Sequence, residues 1–157
     1  MLLSYFLMII SFVLLIVTGI QGYLQFEIFN ASHIEFPFIS TIFYMFAQSW
    51  VMFYFIGAGK TVKETILHYD FDKSIYDKVI AHKRKLFPHL TFNMLFFGTV
   101  FVIGAKVHVG SISPSIHGNL FIFSLVHYLY IINLTHECFK ETADVLSELG
   151  QKIEEGK

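Results

Sequence analysis

Charged residues are distributed unevenly along this chain, and four long stretches contain none. These stretches are residues 1–26, 36–59, 86–105 and 107–136. An apolar segment of about 18 or more residues with few or no charges is typical of a transmembrane helix. The pattern therefore predicts an all-α polytopic membrane protein of one domain, 1–157, with spans at about 2–22, 38–58, 88–106 and 116–139.

Small residues recur every seven positions in two of these spans. The first series is Ser4, Ser11 and Thr18, and the second is Thr91, Gly98 and Ala105. Seven residues make nearly two helical turns, so each series occupies one face of its helix, and small residues let membrane helices approach closely. Together with short outer loops, they predict an up-and-down antiparallel four-helix bundle.

The segment 59–87 between spans two and three is amphipathic, with apolar residues among its charges at helical spacing. It predicts one or two amphipathic helices, continuous with the neighbouring spans. The segment also carries most of the cations, including the run from Lys83 to Lys85, whereas the outer loops carry only Lys106. Loops rich in Lys and Arg face the cytoplasm. Segment 59–87, both termini and the charged tail 140–157 are therefore predicted to be cytoplasmic.

The overall composition supports the prediction of a membrane protein and limits the classes of partner that the chain is expected to have. Only 15% of residues are charged, and the mean hydropathy is +0.60, against about 25% charged residues in soluble domains. The predicted partner is the lipid bilayer, of a bacterial or archaeal cytoplasmic membrane, and no nucleic acid. With Cys138 as the single cysteine, intrachain disulfides and CxxC redox chemistry are excluded.

Polar residues inside the spans predict a seam through the bundle. Tyr44 and Gln48 share a face of span two, and Ser124 and Tyr128 share a face of span four. A polar side chain at mid-bilayer is costly unless it faces the bundle and finds a partner. His127, also at mid-bilayer, is expected to pair with Tyr44 or Gln48, or to belong to a separate pocket. Such a seam would guide protons, a quinone or another lipid-phase substrate.

The eight histidines suggest a bound cofactor, and two models follow. In the first, His89 of span three and His136 of span four are the axial ligands of haem b, because both lie near the cytoplasmic side. Two facing helices that present axial histidines resemble, in architecture alone, the haem-bearing membrane anchors of respiratory complexes. His127 is the third candidate ligand, but it lies nine residues before His136, on the opposite face of an α-helix.

The second model is a carboxylate–histidine centre for iron or another transition metal at the cytoplasmic membrane face. Imidazole and carboxylate groups together are common ligands of such metals. The candidate ligands are Glu64, His68, His82 and Glu137, with His89 and His136 nearby.

The predicted function is that of a small, histidine-rich membrane protein that binds haem b or a metal centre and has an electron-transfer or membrane redox role. Two alternatives stay open: a non-catalytic membrane subunit or assembly partner of a larger complex, and a small carrier that works as a homo-oligomer. The pattern assigns no enzymatic activity.

Overall fold

The computed structural model describes residues 1–28 and 30–155, and it confirms an all-helical chain. Each predicted span lies within one helix, and each helix is long and apolar enough to cross a membrane. The helices are α1 (Leu2–Leu24), α2 (Glu35–Tyr69), α3 (Ser74–His108) and α4 (Pro114–Glu155).

The last three helices are much longer than the predicted spans, because the amphipathic segment and the tail are continuous with them. α2 and α3 each have 35 residues and α4 has 42. At a rise of about 1.5 Å per residue, 35 residues extend roughly 52 Å, against about 30 Å for the hydrocarbon core of a bilayer. Segment 59–87 is therefore two helical ends joined by a four-residue turn, and the tail to Glu155 continues α4.

The turn between α2 and α3 is set by two aspartates. Asp70 adopts a left-handed conformation (φ 54°), and its N–H bonds to the carbonyl of Ile66, which closes α2. The Asp72 carboxylate accepts hydrogen bonds from the Ser74 backbone N–H (3.0 Å) and hydroxyl (2.7 Å). A short polar side chain that accepts from the first turn stabilises a helix start. The sequence Asp-Phe-Asp-Lys, residues 70–73, thus reverses the chain in four residues.

Pro88 was expected in the first turn of the third span, and here the structure differs. α3 begins at Ser74 and continues through Pro88 to His108. Proline removes the hydrogen bond to the carbonyl four residues earlier, that of Arg84. Pro88 is exposed, so this carbonyl lies near the surface of the bundle, where solvent can satisfy it.

The buried face of α1 is the one that the seven-residue series predicts, since Ser4, Ser11 and Thr18 are at most 6% exposed. The second series does not form a packing face. Thr91 and Ala105 are exposed, and α3 instead buries large side chains together with Asn93. A small-residue pattern alone did not identify which face of α3 turns inward.

Contacts between α3 and α4 run in opposite order along the two helices. Along α4, Gly104 of α3 lies against His117, whereas Lys85 pairs with Glu137. The main core contains aromatic and aliphatic residues of all four helices, including Tyr44, Phe97 and Tyr128. A second apolar cluster joins the extended ends of α2, α3 and α4: Val62, Ile66, Ile75, Val79, Val145 and Leu149.

Removal of the Tyr128 hydroxyl group tests this packing. This hydroxyl accepts from Gln48 Nε2 (3.0 Å) and lies 2.7 Å from the Ser11 hydroxyl in a fully buried position. We expect Tyr128→Phe to lower the free energy of unfolding in detergent by about 1–2 kcal/mol, because it leaves buried polar groups without a partner. The matched control Tyr130→Phe removes a hydroxyl from a side chain that is 49% exposed and should change stability little. Equal losses in both variants would contradict this assignment.

Candidate functional site

Asn93, in the middle of α3, is fully buried and connects three helices. Its amide oxygen accepts the hydroxyl of Tyr44 on α2, and its Nδ2 donates to the backbone carbonyl of Ser124 on α4 at 2.9 Å. A carbonyl only accepts, so the orientation of the Asn93 amide is fixed.

Asn93 also determines the protonation pattern of His127. Asn93 Nδ2 lies 3.1 Å from His127 Nδ1, so this ring nitrogen is the acceptor. In a neutral imidazole the other nitrogen, Nε2, then carries the proton. His127 Nε2 lies 3.4 Å from Nδ1 of His89, which is a long hydrogen bond in which His127 donates.

The result is a directed chain of donors from the core to the surface: Tyr44, Asn93, His127 and His89. Each member donates to the next, and the proton of neutral His89 is left on Nε2. Within the described residues, His89 Nε2 makes no hydrogen bond. The chain therefore ends in a free donor.

The two imidazoles lie in a half-buried position between α3 and α4. The Tyr130 ring packs edge-on to His89 with centroids 5.2 Å apart, and Phe96 and Phe123 flank His127 at 6.0 Å and 6.4 Å. Tyr130 and Phe123 are about half exposed, at 49% and 55%. The histidine pair is thus an accessible polar point in an aromatic surface.

The predicted polar seam residues, Tyr44, Gln48, Ser124 and Tyr128, all lie in the core at 0% exposure. They form two adjacent groups, because Tyr44 bonds Asn93 whereas Gln48 bonds Tyr128. The Tyr44 and Tyr128 rings touch edge-to-face at 5.0 Å. His127 reaches Tyr44 only through Asn93, and Gln48 belongs to the other group.

The predicted pairing of His89 with His136 is not what the structure shows. His136 Nδ1 bonds the hydroxyl of Tyr5 on α1 at 2.8 Å, whereas His89 meets His127. Lys85 pairs with Glu137 across the α3–α4 contact, so His136 lies about one helical turn nearer the end of α4 than the level of His89. The two residues also face different helices.

The residues proposed for a cytoplasmic metal centre are not brought together. Glu64 pairs with Lys60 at 3.7 Å on the exposed side of α2, and His68 packs on Tyr69. Glu137 pairs with Lys85 at 3.3 Å. Across residues 1–28 and 30–155, three or more His, Cys, Asp or Glu side chains nowhere gather closely enough to hold a metal ion.

His82, the remaining candidate of that centre, connects α3 to α4 instead. Its Nε2 lies 2.9 Å from the Glu141 carboxylate and its Nδ1 3.0 Å from the Thr142 hydroxyl, and the residue is 7% exposed. Burial lowers the pKa of His82, Glu141 opposes this effect, and Lys85 adds to it. His82 is therefore a structural contact between the extended helix ends.

Four partners were missed in the sequence: Asn93, Tyr5, Glu141 and Thr142. Asn93 carried a usable signal, because it is the only Asn of span three and a buried amide in lipid requires partners. Tyr5 and Thr142 carried none, because residues of those types are common at the ends of apolar helices. Their roles follow from helix rotation.

Comparison with known proteins gives no relative: no family model, curated protein or solved structure matches this chain. Its function is inferred below from its own residues.

The position of His82 predicts a pH dependence of stability. Its lowered pKa means that the folded protein binds this proton less tightly than the unfolded chain. Stability should therefore fall as the pH falls below the ordinary histidine value of about 6.5, where the unfolded chain takes up the proton. We expect His82→Gln to flatten the change in melting temperature between pH 7 and pH 5. The exposed His68→Gln should keep the wild-type slope, and an unchanged slope in His82→Gln would contradict the prediction.

Proposed function

We propose that this chain is an integral membrane protein, an antiparallel up-and-down bundle of four transmembrane helices. Large apolar side chains face outward on every helix, for example Phe6 (60% exposed), Phe53 (67%), Leu95 (62%) and Val126 (60%). A contiguous apolar exterior of this kind is rare on soluble monomers and is expected where lipid covers the surface. The charged side chains lie mainly on the extended ends of α2, α3 and α4.

The distribution of cations supports an orientation with both termini in the cytoplasm. Lys60, Lys63, Lys73, Lys78 and Lys83–Lys85 all lie on the α2–α3 end of the bundle, opposite the α1–α2 and α3–α4 turns. This matches the positive-inside rule, and we propose that the membrane is a bacterial or archaeal cytoplasmic membrane.

Cysteine labelling in whole cells tests this orientation. Single cysteines are placed in a Cys138→Ala background at Ser111, in the α3–α4 turn, and at Ser74, in the α2–α3 turn. We expect a membrane-impermeant maleimide to label the Ser111→Cys variant in intact cells and the Ser74→Cys variant only after lysis. The reverse pattern would contradict the orientation, and labelling of both in the soluble fraction would contradict membrane insertion.

We further propose a membrane redox role in which the His89–His127 pair binds a quinone-type carbonyl compound from the lipid phase. The observation that carries this proposal is the directed hydrogen-bond chain that ends at the free Nε2–H of His89. A carbonyl oxygen is the acceptor that such a donor needs, and the aromatic rings of Tyr130 and Phe123 offer faces for a flat ring. A quinone takes up protons when a redox partner reduces it, and histidine is suited to transfer them.

Haem b or a transition metal, the ligands expected from the sequence, would be bound by the same pair rather than by His89 and His136. A metal held between the facing nitrogens, which lie 3.4 Å apart, would require the two rings to move apart, because each metal–nitrogen bond is about 2.0–2.1 Å long. Ligation would also require His127 Nε2 to lose its proton and His127 Nδ1 to give up its bond to Asn93. These requirements favour the carbonyl ligand.

The two other functional classes, a membrane subunit and an oligomeric carrier, would use the region around the histidine pair differently. A partner subunit would cover the aromatic face around Tyr130, whereas a carrier needs a path past Gln48 and His127. Tyr44, Phe97 and Tyr128 fill the centre of the bundle at 0–1% exposure, so a path within one chain would require them to move. The half-buried histidine pair, which lies at the surface of the bundle, fits a lipid-phase ligand without such movement.

Binding of a short-chain benzoquinone to the purified protein in nanodiscs tests the redox proposal. We expect saturable binding by calorimetry and a lowered carbonyl stretching frequency in the infrared, because a hydrogen bond weakens the C=O bond. His89→Phe should weaken binding by about tenfold or more, the loss of one buried hydrogen bond to the ligand. Asn93→Leu should weaken it less, since it removes only the group that orients His127.

The control is His136→Phe, which removes a histidine that bonds Tyr5 and should leave binding unchanged. Equal binding in wild type and His89→Phe would exclude this site. An absorption spectrum and elemental analysis of the same sample address the other ligands: a Soret band or bound iron that disappears in His89→Ala and His127→Ala would replace the quinone by haem or a metal.

A further inference from the structure

A second pair of histidines lies at the opposite end of the bundle. His33 of the α1–α2 loop and His117 of the first turn of α4 face each other edge-to-face, with ring centroids 6.4 Å apart. Both residues are half buried. The pair is separate from the proposed quinone site and from the other histidines of this end, of which His108 is exposed.

Each of these imidazoles has an enclosed nitrogen without a partner. Nδ1 of His33 and Nδ1 of His117 are both shielded from solvent, and neither makes a hydrogen bond within the described residues. Enclosed polar atoms almost always have partners, and an unpartnered one is commonly explained by a bound ion or water. Two such atoms, of the residue type that most often binds metals, belong here to neighbouring rings whose centroids lie 6.4 Å apart.

The backbone of the neighbouring helices leaves room for the two imidazole rings. A Cβ atom on Gly22 of α1 would lie 2.7 Å from His33 Cε1, and one on Gly104 of α3 would lie 3.1 Å from His117 Cε1. Each imidazole is thus seated directly on a glycine of a neighbouring helix. The backbone carbonyl of Val100 faces the His117 ring. It offers an acceptor for a ring N–H, the kind of contact that orients metal-bound histidines.

The loop that carries His33 is held in place from both sides. Gln21 of α1, fully buried, donates from Nε2 to the carbonyls of Phe26 and Ala31, both at 3.0 Å. The Glu35 carboxylate accepts from the Ser32 N–H (2.9 Å) and hydroxyl (3.1 Å). These bonds flank His33 directly in sequence, so its ring is positioned before any ligand binds, which reduces the cost of binding.

We infer that His33 and His117 form a two-histidine site for a transition-metal ion at the outer end of the bundle. Two metal–nitrogen bonds of about 2.0–2.1 Å with an imidazole ring at each end span this separation when the nitrogens lie on opposite sides of the ion, and a tetrahedral ion would draw the two rings closer together. Imidazole suits Zn²⁺, Cu and Ni²⁺, and the remaining coordination positions of the ion are open to water or a further ligand. The site would also tie the α1–α2 loop to α4.

Zn²⁺ titration of the purified full chain tests this inference, with Ni²⁺ as a second probe. We expect one Zn²⁺ per chain by calorimetry, a rise in melting temperature with Zn²⁺, and weaker binding below pH 6.5 because the ion competes with protons for imidazole. His33→Ala and His117→Ala should each weaken binding by more than about tenfold, on the scale of lost metal-site interactions. His108→Ala, at the same end, should bind as wild type does.

A second pair of variants keeps both histidines and compares a glycine that contacts His117 with one that contacts neither ring. Gly104→Ala places a methyl group against His117, whereas Gly57→Ala adds one where nothing lies within 4 Å. We expect weaker Zn²⁺ binding in Gly104→Ala and none of this effect in Gly57→Ala. Binding that persists in both histidine variants, or no Zn²⁺ binding by folded wild type, would overturn the inference. Quinone binding at His89 should be the same in all these variants, so the two proposals fail separately.

Discussion

The amide of Asn93 is the interaction on which the middle of the bundle depends. One side chain bonds Tyr44 of α2, the carbonyl of Ser124 in α4 and the ring of His127. In an apolar environment a buried amide without partners costs several kcal/mol, so these bonds select the rotation of α2, α3 and α4 in which all of them form together. The same rotation turns His89 and His127 towards each other. The candidate site is therefore a consequence of how the core satisfies one polar group.

The helices are predicted well from the sequence because their prediction depends on a single physical quantity, the length of uncharged apolar runs. The sequence also predicts the buried face of α1 and the burial of Gln48 and Tyr128, since polar groups in such runs must turn inward. It does not predict the register and rotation of one helix against another. His89 and His136 were expected to meet because both lie near one end of a span, but a difference of one turn and of facing direction separates them. Such differences in register and rotation arise from the sum of many contacts, and no single residue indicates them.

The two histidine pairs show how similar residues can differ in chemistry. At His89 and His127, a donor chain leaves a proton at the surface, which suits a ligand that accepts hydrogen bonds. At His33 and His117, enclosed nitrogens have no donor aimed at them, which suits a ligand that accepts lone pairs. The difference lies in the neighbours: a side-chain amide at the first pair, glycines and a backbone carbonyl at the second. Counting histidines in the sequence does not distinguish these cases.

In the proposed orientation, one set of helices is packed in two different solvents. Within the bilayer, lipid is as apolar as the core, so association relies on close packing and on hydrogen bonds such as those of Asn93 and Tyr128. Beyond the bilayer, the extended ends are in water, and burial of the cluster around Val62, Val79 and Leu149 supplies the hydrophobic effect that the membrane part lacks. His82 bridges α3 and α4 near this boundary. The cytoplasmic ends thus hold the three longer helices in register, and that register determines where His89 lies relative to His127.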